Sequence, residues 1–198
     1  MGKIFIVCAP SGAGKTSITR QVIANDPKIL LSLSHTTRSP RSSEKDGADY
    51  FFVSENKFQE LSKNGMFIET AKVYGNYYGT SKKWVDDTLS EGFDILLEID
   101  PVGAQQIKSN LGSCTTIFIL PPSKDELKSR LVKRERDSKL EIKTRLSSFE
   151  NEINHLNEFD YVIINSNLND AVNDLITIVR AERLKITAQS QIISNILD

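Results

Sequence analysis

Only two cysteines occur among the 198 residues, and both, Cys8 and Cys114, lie in or beside apolar, strand-like runs. Buried free thiols are the expectation, rather than a disulfide framework or a thiolate metal site, and that usage fits a reducing compartment. Long apolar runs are missing too. The N-terminal one spans about six residues, short of a signal-peptide core, and none approaches the ~20 needed to cross a bilayer. A net charge of −1 leaves no basic surplus for a polyanion. Internal repeats, low-complexity tracts and linkers are also lacking. Together these absences point to a soluble, cytoplasmic protein without a nucleic-acid or membrane partner, long enough to bury its own core.

What is present begins with Lys3-Ile4-Phe5-Ile6-Val7-Cys8-Ala9-Pro10-Ser11-Gly12-Ala13-Gly14-Lys15-Thr16. An apolar, β-branched run breaks into small residues and then into Gly-Lys-Thr, the order of a strand, a phosphate-cradling loop and a helix N-terminus. Gly12 and Gly14 let backbone N–H groups turn toward a phosphate, and the helix opening near Lys15 adds its positive dipole end. Lys15 then reaches the β- and γ-phosphates, and the Thr16 hydroxyl suits Mg²⁺. Ala9 stands where the strict pattern has glycine, while the half nearest the helix is intact.

Beyond the loop, Ile18, Val22 and Ile23 line one helix face, and Asp26-Pro27 ends that helix. Ile29 to Leu33 reads as extended and leads into Ser34-His35-Thr36-Thr37-Arg38-Ser39-Pro40-Arg41. Two guanidinium forks on a proline-stiffened segment either stay solvated on a loop or capture a phosphate or carboxylate. Tyr50 to Val53 reads as a strand, and Ser54 caps a short helix carrying Phe58 and Leu61 that stops at Gly65. Phe67 to Tyr74 alternates apolar and polar, and Gly75 to Thr80 supplies turn residues interleaved with tyrosines, so a β-hairpin is expected. A polar, strand-rich insertion of this kind is where a second substrate could be held.

From Ser81 an α/β rhythm returns. A helix over 81–91 is expected to bury Trp84, Val85 and Leu89, and the strand from Ile95 ends at Glu98 and Asp100. Carboxylates at such a strand end can bind Mg²⁺ directly or through water, and Asp100 before Pro101 also reads as a helix cap. Thr115 to Leu120 is another buried strand, and Ser123-Lys124-Asp125-Glu126 opens a helix as a capping box. Eight basic residues face three acidic ones between Lys128 and Arg145, either a solvated face or a lid aimed at a phosphoryl group. Ile142, Leu146, Phe149, Ile153 and Leu156 mark a long amphipathic helix. Tyr161 to Ile164 is the last strand, ending at Asn165, and the last helix, from about Asn169, carries Val172, Leu175, Val179 and Ile186. Parallel strands separated by helices, with the loop after the first, predict a three-layer α/β fold with a mainly parallel sheet.

Several motifs in this order resemble the guanylate kinases of bacteria from about Lys3 to Lys185: Ala-Pro-Ser-Gly-Ala-Gly-Lys-Thr, Ser-His-Thr-Thr-Arg-x-Pro-Arg, Asp-Tyr-Phe-Phe-Val, Gly-Asn-Tyr-Tyr-Gly-Thr and Ile-Phe-Ile-Leu-Pro-Pro-Ser. The resemblance implies a fold of the P-loop kinase type and phosphoryl transfer from ATP to GMP, and to dGMP, with Mg²⁺. It implies one domain with a core of about 1–33, 81–125 and 145–198, a small β-rich GMP-binding lobe of about 34–80 and a helical lid of about 126–144. On the same ground Ala9 to Thr16 hold the ATP phosphates, and Arg134 and Arg145 approach them from the lid as catalytic groups beside Lys15 and Arg38. Asn165 matches a residue near the adenine. Arg38, Arg41, Tyr50 and Tyr78 match residues that hold the GMP phosphate; Ser34, Glu69 and Thr80 match those that read guanine, with Asp100 close by. Thr16, Glu98 and Asp100 match the metal shell.

Two departures from the family pattern stand out. Glu98 replaces the first carboxylate of an Asp-Ile-Asp run, and Lys133-Arg134-Glu135-Arg136 replaces a lid sequence that carries two glycines. A phosphopeptide-binding scaffold would have a degraded loop, whereas Lys15 and Thr16 are present. A GTPase switch would need a late Asn-Lys-x-Asp segment, which the chain lacks. Composition leaves the oligomeric state open.

Overall fold

The apolar opening run forms β1 (Ile4–Cys8), buried at all five positions, and the small residues after it lead into α1 (Lys15–Asn25). The computed structural model describes residues 2–42, 44–133 and 139–198. After α1 come β2 (Ile29–Leu31), β3 (His35–Thr36), β4 (Phe51–Phe52), α2 (Glu55–Lys63), β5 (Phe67–Val73), β6 (Asn76–Ser81), α3 (Lys82–Ser90), β7 (Asp94–Glu98) and α4 (Pro101–Leu111). The remainder is β8 (Thr115–Leu120), α5 (Lys124–Lys133), α6 (Lys139–Ile153), a 3₁₀ turn at Leu156–Glu158, β9 (Tyr161–Ile164), α7 (Leu168–Arg183) and α8 (Ile186–Leu197). A five-stranded sheet runs β2-β7-β1-β8-β9, with β2/β7 and β8/β9 parallel. The near-continuous apolar runs of β1, β7 and β8 suit strands covered on both faces. A four-stranded mixed sheet runs β4-β3-β6-β5.

Two compact units make up the chain: Met1–Ile6 with Lys28–Cys114, and Val7–Pro27 with Thr115–Asp198, so the division falls inside β1. In the first, Ser54 and Ser81 cap α2 and α3 by accepting from Lys57 N and Trp84 N. Phe58 stacks on Phe67 and Tyr77 with centroids 4.8 and 5.5 Å apart, pinning α2 to the hairpin. The hairpin is tighter than the sequence suggests. Tyr74 (φ 47°) and Gly75 (φ 82°) alone make the turn, whose positive φ angles match the strand twist, so Asn76 to Thr80 are strand rather than turn. Val85 and Leu89 are buried as expected on α3, while Trp84 is half-buried.

In the second unit, Leu127 and Leu131 of α5 and Phe149 of α6 form a buried cluster, with Leu120, Ile142, Leu146 and Ile153 packed against it. α7 buries Ala171, Val172, Leu175, Ile178 and Val179 and starts at Asn167, whose side chain accepts from Asn169 N and Asp170 N. The predicted last helix is in fact two. Lys185 adopts an extended ψ of 139° between α7 and α8, so Ile186 opens α8 and is 79% exposed rather than part of the α7 face. Cys8 is buried and Cys114 half-buried, and neither is in a disulfide. Among the described residues no helix is long and apolar enough to cross a membrane.

Candidate active site

The phosphate-loop residues belong to the second unit. The loop needs glycine twice: Gly12 and Gly14 have φ of 98° and 101°, in the left-handed region that side chains avoid. A Cβ on Gly14 would lie 2.3 Å from Asn165 Nδ2, so the position is closed sterically as well. That amide is there for the loop: Asn165 Nδ2 donates to Ala13 O at 2.7 Å, while Asn165 N donates to Leu120 O at 2.7 Å. Arg130, held by Glu126 at 2.8 Å, donates to Asn165 O at 3.0 Å and to Ala13 O at 3.4 Å. Arg145 of α6 donates to Ser11 Oγ. Within the loop Ala13 N donates to Pro10 O at 3.0 Å, and α1 starts at Lys15 from a Gly14 cap that has no side chain to offer its first N–H groups. Those groups and the dipole end favour an anion. Lys15 and Ala9 are half-buried, and Thr16 is exposed. Arg134 and the flanking Glu135 and Arg136 lie outside the described residues.

Two groups of side chains in the first unit match the expectations for a second substrate. Arg38 is the centre of one. Its Nη2 donates to both oxygens of Glu44, at 2.9 and 3.0 Å, and its Nη1 to Ser39 O at 2.8 Å. The guanidinium lies 5.4 Å from the Tyr50 ring centroid and 5.8 Å from that of Phe52, and Tyr78 stands edge-on to Tyr50 with centroids 6.1 Å apart. Glu44 also accepts from Arg41 N at 2.8 Å and lies 3.7 Å from Arg41 Nη1. Burial opposes both charges of the Arg38–Glu44 pair, yet the pairing prevails, keeping Arg38 above and Glu44 below their ordinary values. Tyr50 is pushed up, first by burial and then by the negative charge of Glu98. The result is two cations tied by one carboxylate, with Arg38 lying over an aromatic floor. Glu44 was not anticipated from the sequence. Its signal there was weak, an acid three residues after Arg41.

Glu69 is the centre of the other group. It is 3% exposed on β5 and accepts from Thr80 Oγ1 at 2.7 Å. A Cβ on Gly103 would come 2.8 Å from Glu69 Oε2 and 3.1 Å from Asp100 Oδ1, so only glycine lets α4 approach the carboxylate this closely. Asp100 caps α4 by accepting from Gly103 N at 2.8 Å. Burial, helped by the Asp100 charge and opposed by the Thr80 bond, leaves the Glu69 carboxyl pushed up to about 7. Ser34, half-buried just before β3, accepts through its carbonyl from Phe51 N of β4 at 3.0 Å. Glu98 is half-buried at the end of β7. A carboxylate of this kind, with a hydroxyl partner and a glycine floor, can accept two adjacent N–H donors from a flat ring.

The comparisons with known proteins bear on the chain as a whole. The family model described as guanylate kinase matches residues 1–182. Over 189 residues the chain is 48% identical to the guanylate kinase of Nitrosomonas europaea, covering 96% of this chain and 94% of that one. Over 184 residues it is 50% identical to the guanylate kinase of Methylobacillus flagellatus, covering 93% and 91%. The crystal structure of guanylate kinase from Anaplasma phagocytophilum superposes with a TM-score of 0.79 at 34% identity, over 93% of this chain and 87% of that one. A glycine-built phosphate loop, a paired-arginine lobe and near-complete matches of this kind place the chain in the guanylate kinase family.

Proposed function

We propose that the chain transfers the γ-phosphoryl group of ATP to GMP, and to dGMP, giving ADP and the corresponding diphosphate. The observation that carries the reading is the first unit's combination of an arginine fork over Tyr50 and Phe52 with a buried, hydroxyl-backed carboxylate. One suits a monophosphate, the other the adjacent N1–H and exocyclic amino donors of guanine.

A nucleoside monophosphate is already an anionic nucleophile, so no general base is required. The protein's work is alignment and charge neutralisation. Lys15 and the α1 N-terminus neutralise the donor phosphates, with Arg134 of the 126–144 lid and Arg145 of α6 adding charge. Asn165 and Arg130 hold the Ala13 carbonyl so that the loop's N–H groups keep facing the phosphates, Asn165 lying beside the adenine. Arg38, Arg41, Tyr50 and Tyr78 hold the acceptor phosphate; Ser34, Glu69, Thr80 and Asp100 surround the base.

Thr16, Glu98 and Asp100 offer only oxygen donors, which fit a hard cation such as Mg²⁺. Among the described residues no group of three metal-ligating side chains gathers, as suits an ion that takes most of its ligands from phosphates and water. When bound, Mg²⁺ screens the charge on the transferring group. A coupled ADP-release assay with ATP against GMP, dGMP, AMP, CMP and UMP tests the reading: turnover with GMP and dGMP is expected, and equal turnover with AMP would refute it.

A further inference from the structure

Glu69 sits at an irregular place in its strand. β5 is an edge strand, and its ladder with β6 shifts register between Phe67 and Glu69, pairing Phe67 with Ser81 but Glu69 with Thr80, so Ile68 is an extra residue. Bulges re-aim a side chain at the cost of local pairing. The outward backbone groups of β5 at this point are met by α4. Thr70 N donates to Gln106 Oε1 at 3.0 Å and Gln106 Nε2 donates back to Thr70 O at 2.9 Å, the reciprocal pair that a neighbouring strand would make. Asn110 Nδ2 donates to Ile68 O at 3.0 Å. Gly103, Gln106 and Asn110 fall at i, i+3 and i+7, on one helix face. The same face that clamps Ile68 and Thr70 therefore brings Gly103 against the carboxylate of the residue between them.

We infer that Gln106 and Asn110 are positioning residues for guanine discrimination: they stand in for the missing strand at the bulge and so set the Glu69 carboxylate against Gly103 and Thr80. This rests on the reading of Glu69 as the group that accepts from guanine. Two adjacent donors tolerate little displacement of a bidentate acceptor, and misplacement by about 1 Å can cost ~10²-fold. Neither amide is given any contact with substrate by this inference.

The test compares Gln106→Ala, Asn110→Ala and Glu69→Ala with the parent protein by steady-state kinetics on GMP, AMP and ATP, with melting curves and amide hydrogen exchange at Thr70. Gln106→Ala is expected to lose protection at Thr70, to raise KM for GMP about tenfold and to narrow the GMP/AMP ratio of kcat/KM by a similar factor, with KM for ATP within about twofold. Asn110→Ala, which removes one bond rather than two, is expected to narrow the ratio about threefold. It decides the matter should Gln106→Ala fail to fold. A folded Gln106→Ala protein with an unchanged ratio overturns the inference, as does a parallel rise of KM for GMP and ATP tracking a lower melting temperature. If Glu69→Ala itself leaves the ratio intact, the reading of Glu69 fails first. If Glu69→Ala collapses the ratio and the two amide variants do not, only the positioning role is lost.

Discussion

The two units build their binding groups by different means. In the second unit the main chain does the work: glycines at 12 and 14 set the loop's shape, and side chains such as Asn165 and Arg130 serve by holding the Ala13 carbonyl. In the first unit side chains hold side chains, Glu44 tying Arg38 to Arg41 and Thr80 tying Glu69. A main-chain cradle recognises phosphate, which every nucleotide carries. A side-chain lattice recognises one acceptor. Variants in the two units should therefore separate general from specific losses.

The largest effect is expected at Glu69. Removing the carboxylate by Glu69→Ala should narrow the GMP/AMP ratio of kcat/KM by ~10³-fold or more, because a site built to pair polar groups rejects the partner that leaves them unpaired. KM for ATP should stay put; a ratio within threefold of the parent would break the assignment of specificity to the first unit. Lys15→Ala should lower kcat by ~10²–10³-fold for every acceptor alike, with the melting temperature kept. Selective loss on GMP alone would erase the distinction between the units.

Protonation sharpens the comparison, since Glu69 titrates at about 7 when burial and Asp100 act on it. Accepting from guanine needs the ionised form, so KM for GMP should fall about tenfold between pH 6 and pH 8, with a flatter profile in Glu69→Gln that leaves only the GMP phosphate's own ionisation near pH 6. The sign for stability is opposite. A carboxyl whose folded pKa is raised binds its proton more tightly when folded, so its stabilisation is full below about 4.5 and is lost as pH rises toward 7. Melting temperatures of the ligand-free protein should therefore gain from Glu69→Gln near pH 8 more than near pH 5. The smallest effect concerns Glu44. Glu44→Ala should raise KM for GMP about fivefold by releasing Arg38 and Arg41 from their geometry, as loss of a charge-assisted pair does. A lower KM would instead make Glu44 a competitor for the acceptor phosphate.

This contrast also governs what could be read from the chain. A main-chain cradle must be contiguous, so Ala9 to Thr16 announced itself, as did the caps at Ser54, Ser81 and Asp100, each within three residues of the N–H it accepts from. Side-chain lattices are assembled across the sequence. Gln106 meets Thr70 over 36 residues and Arg130 meets Ala13 over 117, and neither separation leaves a local pattern. The proposed roles of Glu69 and Arg38 rest on the family resemblance, because alternation alone would place Glu69 on a polar face although it is buried. The helix break at Lys185 was illegible for a different reason: the apolar spacing simply continues through Ile186.

The contact between Gly14 and Asn165 has a consequence for how the sequence can change. No side chain fits at position 14 while Asn165 keeps its amide there, and shrinking residue 165 would free the space without relieving the positive φ. The two positions are thus bound in one-way epistasis. Drift can reach a smaller residue at 165 in a single step, at the expense of the Ala13 anchor, but position 14 stays glycine whichever residue stands opposite it.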